Sequence, residues 1–330
     1  MTLLFDKQKR IASPALVPGQ EESARATELT IGLINNMPDS ALKATERQFM
    51  RLLQAAAGGT AVRFRCFSLP SVRRSKAAQS HIDDDYCDIA DLDRLPLDGL
   101  IVTGAEPNAA TLPEEPFWRE LTGIVDWAKT HTRSTIWSCL AAHAAVLHLD
   151  GIERHPLGAK CSGVYDCARV ERDWLTSGLA SPAKVSHSRF NGLRESELAA
   201  RGYRVLTRSG EAGVDIFVKQ WQSRFVFFQG HPEYDALSLQ REYMRDVARF
   251  LAGERETYPA IPTCYFDDAT EAVLAHFETR ARKDRDPMLA AELPGLTLRA
   301  DIGAGSTASV IFANWLDHLA QRTAVAMPAR

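Results

Sequence analysis

The chain has 330 residues, 45% hydrophobic and 25% charged, a composition typical of a globular protein with a sizeable core. Its formal net charge of −3 gives no electrostatic reason to expect nucleic acid or an anionic membrane as a partner. The longest apolar run, Leu140 to Leu149, is too short to span a bilayer, and we expect no signal peptide. Six cysteines without regular spacing favour a reduced, cytoplasmic protein over a disulfide scaffold.

In the first half of the chain, apolar runs alternate with segments of helical periodicity. The apolar runs predict strands at residues 29–35, 61–69, 97–104 and 134–138. The intervening segments predict helices at residues 40–57, 115–131 and 140–149. This alternation predicts an α/β fold of the flavodoxin-like kind, with a doubly wound, mostly parallel sheet and helices on both faces.

The second half of the chain has more closely spaced apolar runs. They predict additional strands at residues 162–170, 183–188, 203–209, 214–220 and 224–231. A long helix is predicted at 237–253, and the less regular C-terminal part contains one predicted helix at 308–323. We divide the chain into a polar N-terminal arm at 1–28, a main domain at 29–255, and a C-terminal extension at 256–330 that packs on the same domain.

Cys139 lies where the fourth predicted strand turns directly into a helix, the position at which open parallel sheets hold their ligands. Its neighbours Ser138 and Ala141 are small, as a sharp strand-to-helix turn requires. The dipole of the following helix would favour a thiolate, and the backbone N–H of Leu140 would point towards a developing oxyanion. On this local pattern alone, a small buried cysteine remains the alternative.

A second group of residues follows the strand at 224–231, in the segment "GHPEYD". Residues two apart in an extended segment share a side, so Glu233 can orient the imidazole of His231. His231 can then take a proton from Cys139, which completes a nucleophile, base and orienting group for covalent acyl transfer. A glutaminase of the amidotransferase kind would use the same three residues.

Several sequence blocks are similar to those of the homoserine O-succinyltransferase and O-acetyltransferase family. They read "CLAAHAAV", "KCSGVYD", "VSHSR" and "GHPEYDALSLQREYMRDV", and this chain resembles a divergent member. The resemblance implies the class I glutamine-amidotransferase-like fold and an enzyme that acylates the hydroxyl of L-homoserine in methionine biosynthesis. It implies Cys139 as the acyl-accepting nucleophile, with His231 as base and Glu233 as its partner.

Further site residues are implied by the same resemblance. It points to Lys160 as an active-site cation, to Arg245 as the group that pairs the amino-acid carboxylate, and to Ser188 as a substrate contact. Arg binds carboxylates in a bidentate manner, which agrees with that role for Arg245. Because Gly104 ends the third predicted strand near Cys139, the backbone N–H of Ala105 is a second candidate for the oxyanion hole.

The identities of the donor and of the acceptor stay open at this stage. In the family, glycine at one position favours a succinyl donor and glutamate an acetyl donor, and ungapped alignment places Asn108 there. We therefore expect succinyl-CoA or acetyl-CoA as co-substrate, no bound cofactor and no metal. Serine O-acylation in cysteine biosynthesis is an alternative, and the resemblance makes a homodimer plausible. The basic cluster at 72–76 is predicted to be a solvated loop.

Overall fold

One sheet of ten strands organises the part of the chain that this computed structural model describes, which is residues 3–5, 28–300 and 306–321. The strand order is β1-β3-β2-β4-β5-β10-β9-β8-β6-β7. The strands are β1 Leu3–Phe5, β2 Glu28–Ile34, β3 Ala61–Phe67, β4 Gly99–Val102, β5 Ser134–Ser138, β6 His155–Arg169, β7 Ala183–Gly192, β8 Arg204–Ser209, β9 Gly213–Gln220 and β10 Arg224–Phe228.

Helices connect these strands and follow them. They are α1 Asp39–Ala56, α2 Lys76–Asp85, α3 Trp118–His131, α4 Leu140–Asp150, α5 Glu195–Ala200, α6 Ser238–Leu251, α7 Asp268–Asp284 and α8 Ser306–Ala320. Within the described ranges, none of these helices has the length and apolar character needed to cross a membrane.

The sheet changes from parallel to antiparallel pairing at β10. Strands β1 to β5 and β10 pair in parallel, whereas β9, β8, β6 and β7 are added in antiparallel order. In the parallel pair β5–β10, Ser138 lies opposite Phe228. Because parallel strands end at the same edge of a sheet, the residues that follow β5 and β10 emerge side by side.

Helices cover both faces of the parallel strands, as alternation along β10 illustrates. Val226 and Phe228 belong to one buried cluster, which also contains apolar residues of α1 and α8. Phe225 and Phe227 belong to the opposite cluster, with apolar residues of α3 and α4. A strand buried on both faces reads as a continuous apolar run, which is why "RFVFF" is recognisable in the sequence.

The C-terminal part contains more structure than the sequence patterns predict. Helix α7 is 17 residues long, and the expectation of a single helix in this part is therefore wrong. Its buried stripe is narrow, with Leu274, Phe277 and Ala281, and it packs in a cluster that includes Phe250 of α6. A narrow apolar stripe among charged residues gives a weak periodic signal, and its helical conformation depends on the partner helix.

The structure describes only part of the predicted N-terminal arm. Residues 6–27 of the arm lie outside the described residues, while the backbone of Leu3–Phe5 pairs with β3.

The basic cluster at 72–76 was expected to be a solvated loop. It is not uniformly solvated, because the Arg74 side chain is only 3% exposed. Its guanidinium donates hydrogen bonds to the carbonyl oxygens of Asn35 and Met37, and so fixes the loop that follows β2.

Gly163 in β6 joins the sheet to the segment that precedes α7. Its φ is +151°, and a Cβ atom there would lie 2.4 Å from the carbonyl oxygen of Thr263. The neighbouring backbone groups pair directly, with Val164 N–H donating to that oxygen at 2.9 Å. Only glycine avoids this collision between two backbones.

We predict that Gly163→Ala lowers the free energy of unfolding by at least about 2 kcal/mol, because it adds backbone strain and overpacking. Urea unfolding monitored by circular dichroism measures this loss. The matched control is Gly158→Ala in the same strand, since a Cβ there meets nothing within 4 Å. That variant should change the free energy of unfolding by no more than about 1 kcal/mol. Equal losses in both variants would contradict the steric explanation.

Candidate active site

Cys139 occupies a strained turn between β5 and α4. Its backbone has φ 52° and ψ −113°, a conformation that residues other than glycine rarely adopt. Its N–H donates a hydrogen bond of 2.8 Å to the carbonyl oxygen of Phe228 at the end of β10. On the other side, a Cβ on Gly104 would lie only 3.1 Å from the backbone nitrogen of Leu140. Two neighbouring strands therefore hold the turn in place.

His231 follows β10 and lies beside this turn. Its N–H donates to the carbonyl oxygen of Ser186 in β7 at 2.8 Å, and its Nδ1 is 2.9 Å from Oε1 of Glu233. The ring stacks on Tyr234 with centroids 4.2 Å apart. The side chain of Cys139 is close enough to interact electrostatically with this imidazole. The structure thus brings together the three residues predicted as a triad.

The buried environment of His231 favours a charged imidazole. Burial acts to lower the pKa of His231, but the negative charges of Glu233 and Cys139 outweigh it and raise that pKa well above its ordinary value. A proton on the imidazole and a negative charge on the sulfur stabilise each other in such a pair. The folded protein therefore favours the protonated form of His231.

A cavity of about 260 Å³ opens above Cys139. Eight of the nine residues predicted for the site line it, namely Cys139, His231, Glu233, Lys160, Ser188, Arg245, Leu140 and Ala105. Leu140 is the first residue of α4, so its N–H has no acceptor within the helix. Leu140 and Ala105 follow β5 and β4, which are neighbouring parallel strands, and both residues line the cavity.

Asn108 is the predicted site residue that does not line the cavity. Its side chain is exposed, and its amide donates to the carbonyl oxygen of Glu106 at 3.0 Å. Its backbone N–H donates to Oε1 of the buried Glu115 at 2.7 Å, which holds this part of the loop away from Cys139. Glu106 and Pro107 of the same loop line the cavity in its place.

Charged side chains of α6 and β6 form a network at one side of the cavity. The ammonium of Lys160 lies 3.2 Å from Glu242 and 3.2 Å from Asp246, and Arg245 lies 3.1 Å from Asp246. Ser188 also donates a hydrogen bond to Glu242. Although burial acts to raise it, the pKa of Glu242 is lowered by Lys160 and by hydrogen bonds, so the group is a carboxylate.

The predicted site residues do not include four charged residues that line this cavity, Glu106, Arg154, Arg189 and Glu242. Glu242 stands three residues before Arg245, a spacing that places both on one face of α6, and this was a usable signal. Arg154 precedes β6 without a pattern around it, so nothing local could have identified it.

His143 is fully buried and serves as a structural link. Its Nε2 donates to Oε1 of Gln229 at 3.0 Å, and that oxygen also accepts the N–H of Leu193 at 2.9 Å. Burial lowers the pKa of His143 to about 4, which means that the ring is neutral at pH 7. This agrees with a packing role rather than a role as a second base.

Among the described residues, one buried group has the donors to hold a metal ion. Cys167, His187 and Asp215 are buried, with their ligand atoms within 4.8 Å of one another. However, Arg189 Nε donates to Nδ1 of His187 at 3.4 Å, so Nε2 carries the proton and points towards Asp215 at 3.6 Å. A metal ion would need the lone pair of that nitrogen, which makes the group a poor metal site.

Comparison with known proteins places the chain in a family. The model of the homoserine O-succinyltransferase family matches residues 9–325. The chain belongs to this family. Homoserine O-succinyltransferases of Bradyrhizobium japonicum and Rhodopseudomonas palustris are 62% and 58% identical to it, each over 97% of this chain and 99% of the relative. The relative of that name from Methylobacter tundripaludum is 38% identical over 97% of this chain and 91% of its own length.

The fold of this family member is also found in a solved structure. A crystal structure of a glutamine amidotransferase from Methylobacillus flagellatus matches with a TM-score of 0.50 at 14% identity. The match covers 92% of this chain and 100% of the other. At this identity the likeness concerns the fold alone, and it confirms the predicted glutamine-amidotransferase-like α/β class.

The burial of His143 predicts a specific loss of stability in acid. The folded state holds this imidazole neutral down to pH of about 4, whereas the unfolded chain protonates it near its ordinary pKa of about 6.5. The unfolded state therefore binds more protons as pH falls through this window, and the free energy of unfolding should drop by roughly 3 kcal/mol.

His143→Gln should remove this part of the acid sensitivity. Urea unfolding at several pH values between 7 and about 4 should show a flatter profile than that of the wild type. The control is His276→Gln, because His276 is exposed on α7, and its profile should parallel that of the wild type. Parallel profiles for all three proteins would contradict the prediction.

Proposed function

We propose that the chain is an acyltransferase that moves an acyl group from acyl-CoA to the side-chain hydroxyl of L-homoserine in methionine biosynthesis. The observation that carries the proposal is the strained Cys139 beside the His231–Glu233 pair, in a family member whose relatives are named homoserine O-succinyltransferases. The name of these relatives favours succinyl-CoA as the donor. The relatives give no support to serine acylation or to glutamine hydrolysis.

The first half of the reaction forms an acyl-cysteine. The sulfur of Cys139 attacks the thioester carbonyl, and the carbon–sulfur bond to coenzyme A breaks. The leaving thiolate takes the proton held by His231. Charge on the carbonyl oxygen would be stabilised by the N–H groups of Leu140 and Ala105. Exchange of one thioester for another keeps the acyl group activated.

The second half transfers the acyl group to the acceptor. His231, now neutral, takes the proton of the homoserine hydroxyl, and the oxygen attacks the acyl-cysteine. An ester forms, the bond to sulfur breaks, and the ion pair of Cys139 and His231 is restored. Glu233 holds the imidazole in one orientation throughout, and ping-pong kinetics should follow.

The charged network on α6 matches an α-amino acid. An amino acid carries a carboxylate and an ammonium group on one carbon, so its site needs a cation and an anion close together. Arg245 is suited to the carboxylate and Glu242 to the ammonium, since both face the cavity from one side of α6. Lys160 and Ser188 hold Glu242 in position.

We also propose how the chain is organised into domains. Residues 29–255 would form the catalytic domain, and 256–330 would pack on it, as the hydrogen bond of 3.0 Å from Trp315 Nε1 to Ser134 Oγ supports. A cytoplasmic location is supported by the six cysteines, which all lie within the described residues and form no disulfide bond there. The homodimer stays a prediction from the resemblance.

A covalent intermediate at Cys139 can be detected directly. Intact-mass measurement after mixing with succinyl-CoA, without acceptor, should show one added succinyl group, and Cys139→Ala should abolish it. The variant should also lose at least about a thousandfold in kcat. The control is Cys264→Ser, because that cysteine is exposed and does not line the cavity. Full activity of Cys139→Ala would rule the mechanism out.

The proposed acceptor site predicts a selective effect of Arg245. Arg245→Gln should raise KM for homoserine by about 10- to 100-fold, because a charged hydrogen-bond pair is lost, with little change in KM for the donor. Arg241→Gln on the same helix is the control, since its side chain is 51% exposed and pairs with Asp235. An equal rise in both KM values would argue against a role in acceptor binding.

A further inference from the structure

Four cationic side chains line the cavity, and three of them are engaged. Lys160 and Arg245 pair with acidic residues of α6. Arg189 donates hydrogen bonds to the carbonyl oxygens of Asn191 and Ala212. Within the described part of the chain, Arg154 forms neither a hydrogen bond nor an ion pair. A half-buried guanidinium beside the nucleophile is thus left without a partner.

The surroundings of Arg154 keep it charged. Burial acts to lower the pKa of Arg154, and the charges of Glu115 and Cys139 oppose that effect. Glu115 is only 3% exposed, and its Oε1 accepts the N–H groups of Asn108 and Ala109. Its Oε2 is buried without a hydrogen-bond partner, yet it is too far from Arg154 to form an ion pair. The five N–H donors of the guanidinium remain available to a ligand.

Arg154 differs from the cations beside α6 in what it offers to a second carboxylate. Lys160 and Arg245 already pair with Glu242 and Asp246 of α6, which suits the proposed zwitterionic acceptor. Near Arg154 there is an unpaired positive charge that interacts with Cys139. An acyl group attached to Cys139 and ending in a carboxylate would meet its counter-charge there, whereas an acetyl group would leave the guanidinium unpaired.

We propose that Arg154 binds the distal carboxylate of a dicarboxylic acyl donor such as succinyl-CoA, and so selects that donor over neutral acyl groups. The inference rests on the proposed acyl transfer through Cys139. It assigns donor choice to a residue that faces the cavity, and not to Asn108, which the structure places outside its lining.

The test compares donors of equal length with and without the terminal charge. Initial rates with succinyl-CoA and with butyryl-CoA are measured for the wild type, Arg154→Gln and Arg154→Lys, with homoserine as acceptor. In Arg154→Gln, kcat/KM for succinyl-CoA should fall about 10- to 100-fold, while that for butyryl-CoA should change by no more than about twofold. Arg154→Lys should recover part of the loss, since the charge is kept without the bidentate fork.

The matched control is Arg94→Gln, whose side chain is 74% exposed and lies outside the cavity, and it should behave as the wild type with both donors. Equal losses with both donors in Arg154→Gln would indicate a structural role and overturn the inference. An unchanged preference for succinyl-CoA would overturn it as well. Circular dichroism of each variant checks that it is folded.

Measurement of the acyl-enzyme separates this inference from the proposed function. If homoserine is not acylated but Cys139 still accepts acyl groups, the acceptor assignment fails. The ratio of succinyl- to butyryl-enzyme in the wild type and in Arg154→Gln then tests Arg154 alone. If the wild type forms no acyl-enzyme with any donor, the mechanism and the inference fail together.

Discussion

The active site depends on the parallel pairing of β5 and β10, and on one backbone hydrogen bond at its end. Ser138 and Phe228 are in register, and the N–H of Cys139 donates to the carbonyl oxygen of Phe228. This bond holds the nucleophile in a positive-φ conformation next to the strand that delivers His231. Strain in the turn is compensated by the buried sheet on both sides, which relaxation of the turn would disrupt.

The charges of the cavity are distributed in a way that matches two different substrates. Beside α6, Lys160 and Arg245 pair with Glu242 and Asp246, so this part of the site offers both signs of charge to a zwitterion. Arg154 contributes a further positive charge to the cavity, which we assign to the donor. Cys139 and His231 line the same cavity, so each proposed substrate would meet its own counter-charge close to the catalytic pair.

Most of the sheet was predictable because its strands are buried on both faces and read as apolar runs, as in "STIWS" of β5 and "RFVFF" of β10. Helix α7 was not predictable from the sequence, since its narrow apolar stripe is buried only by packing in the cluster that includes α6. Arg74 reads as one residue of a surface basic run, yet it is buried by carbonyl groups of a loop that lies more than thirty residues earlier in the chain. Local pattern carries no information about such distant partners.

For the site, the sequence alone determined the candidate nucleophile, base and orienting residue, because strand-to-helix turns and the His-x-Glu spacing are local features. Tertiary structure alone decided which charged residues face one cavity. It brought Arg154 and Glu242 to the lining and turned Asn108 outward through the buried carboxylate of Glu115. Whether a charged side chain is solvated, paired or left free for a ligand depends on contacts between distant segments, and these exist only in the folded chain.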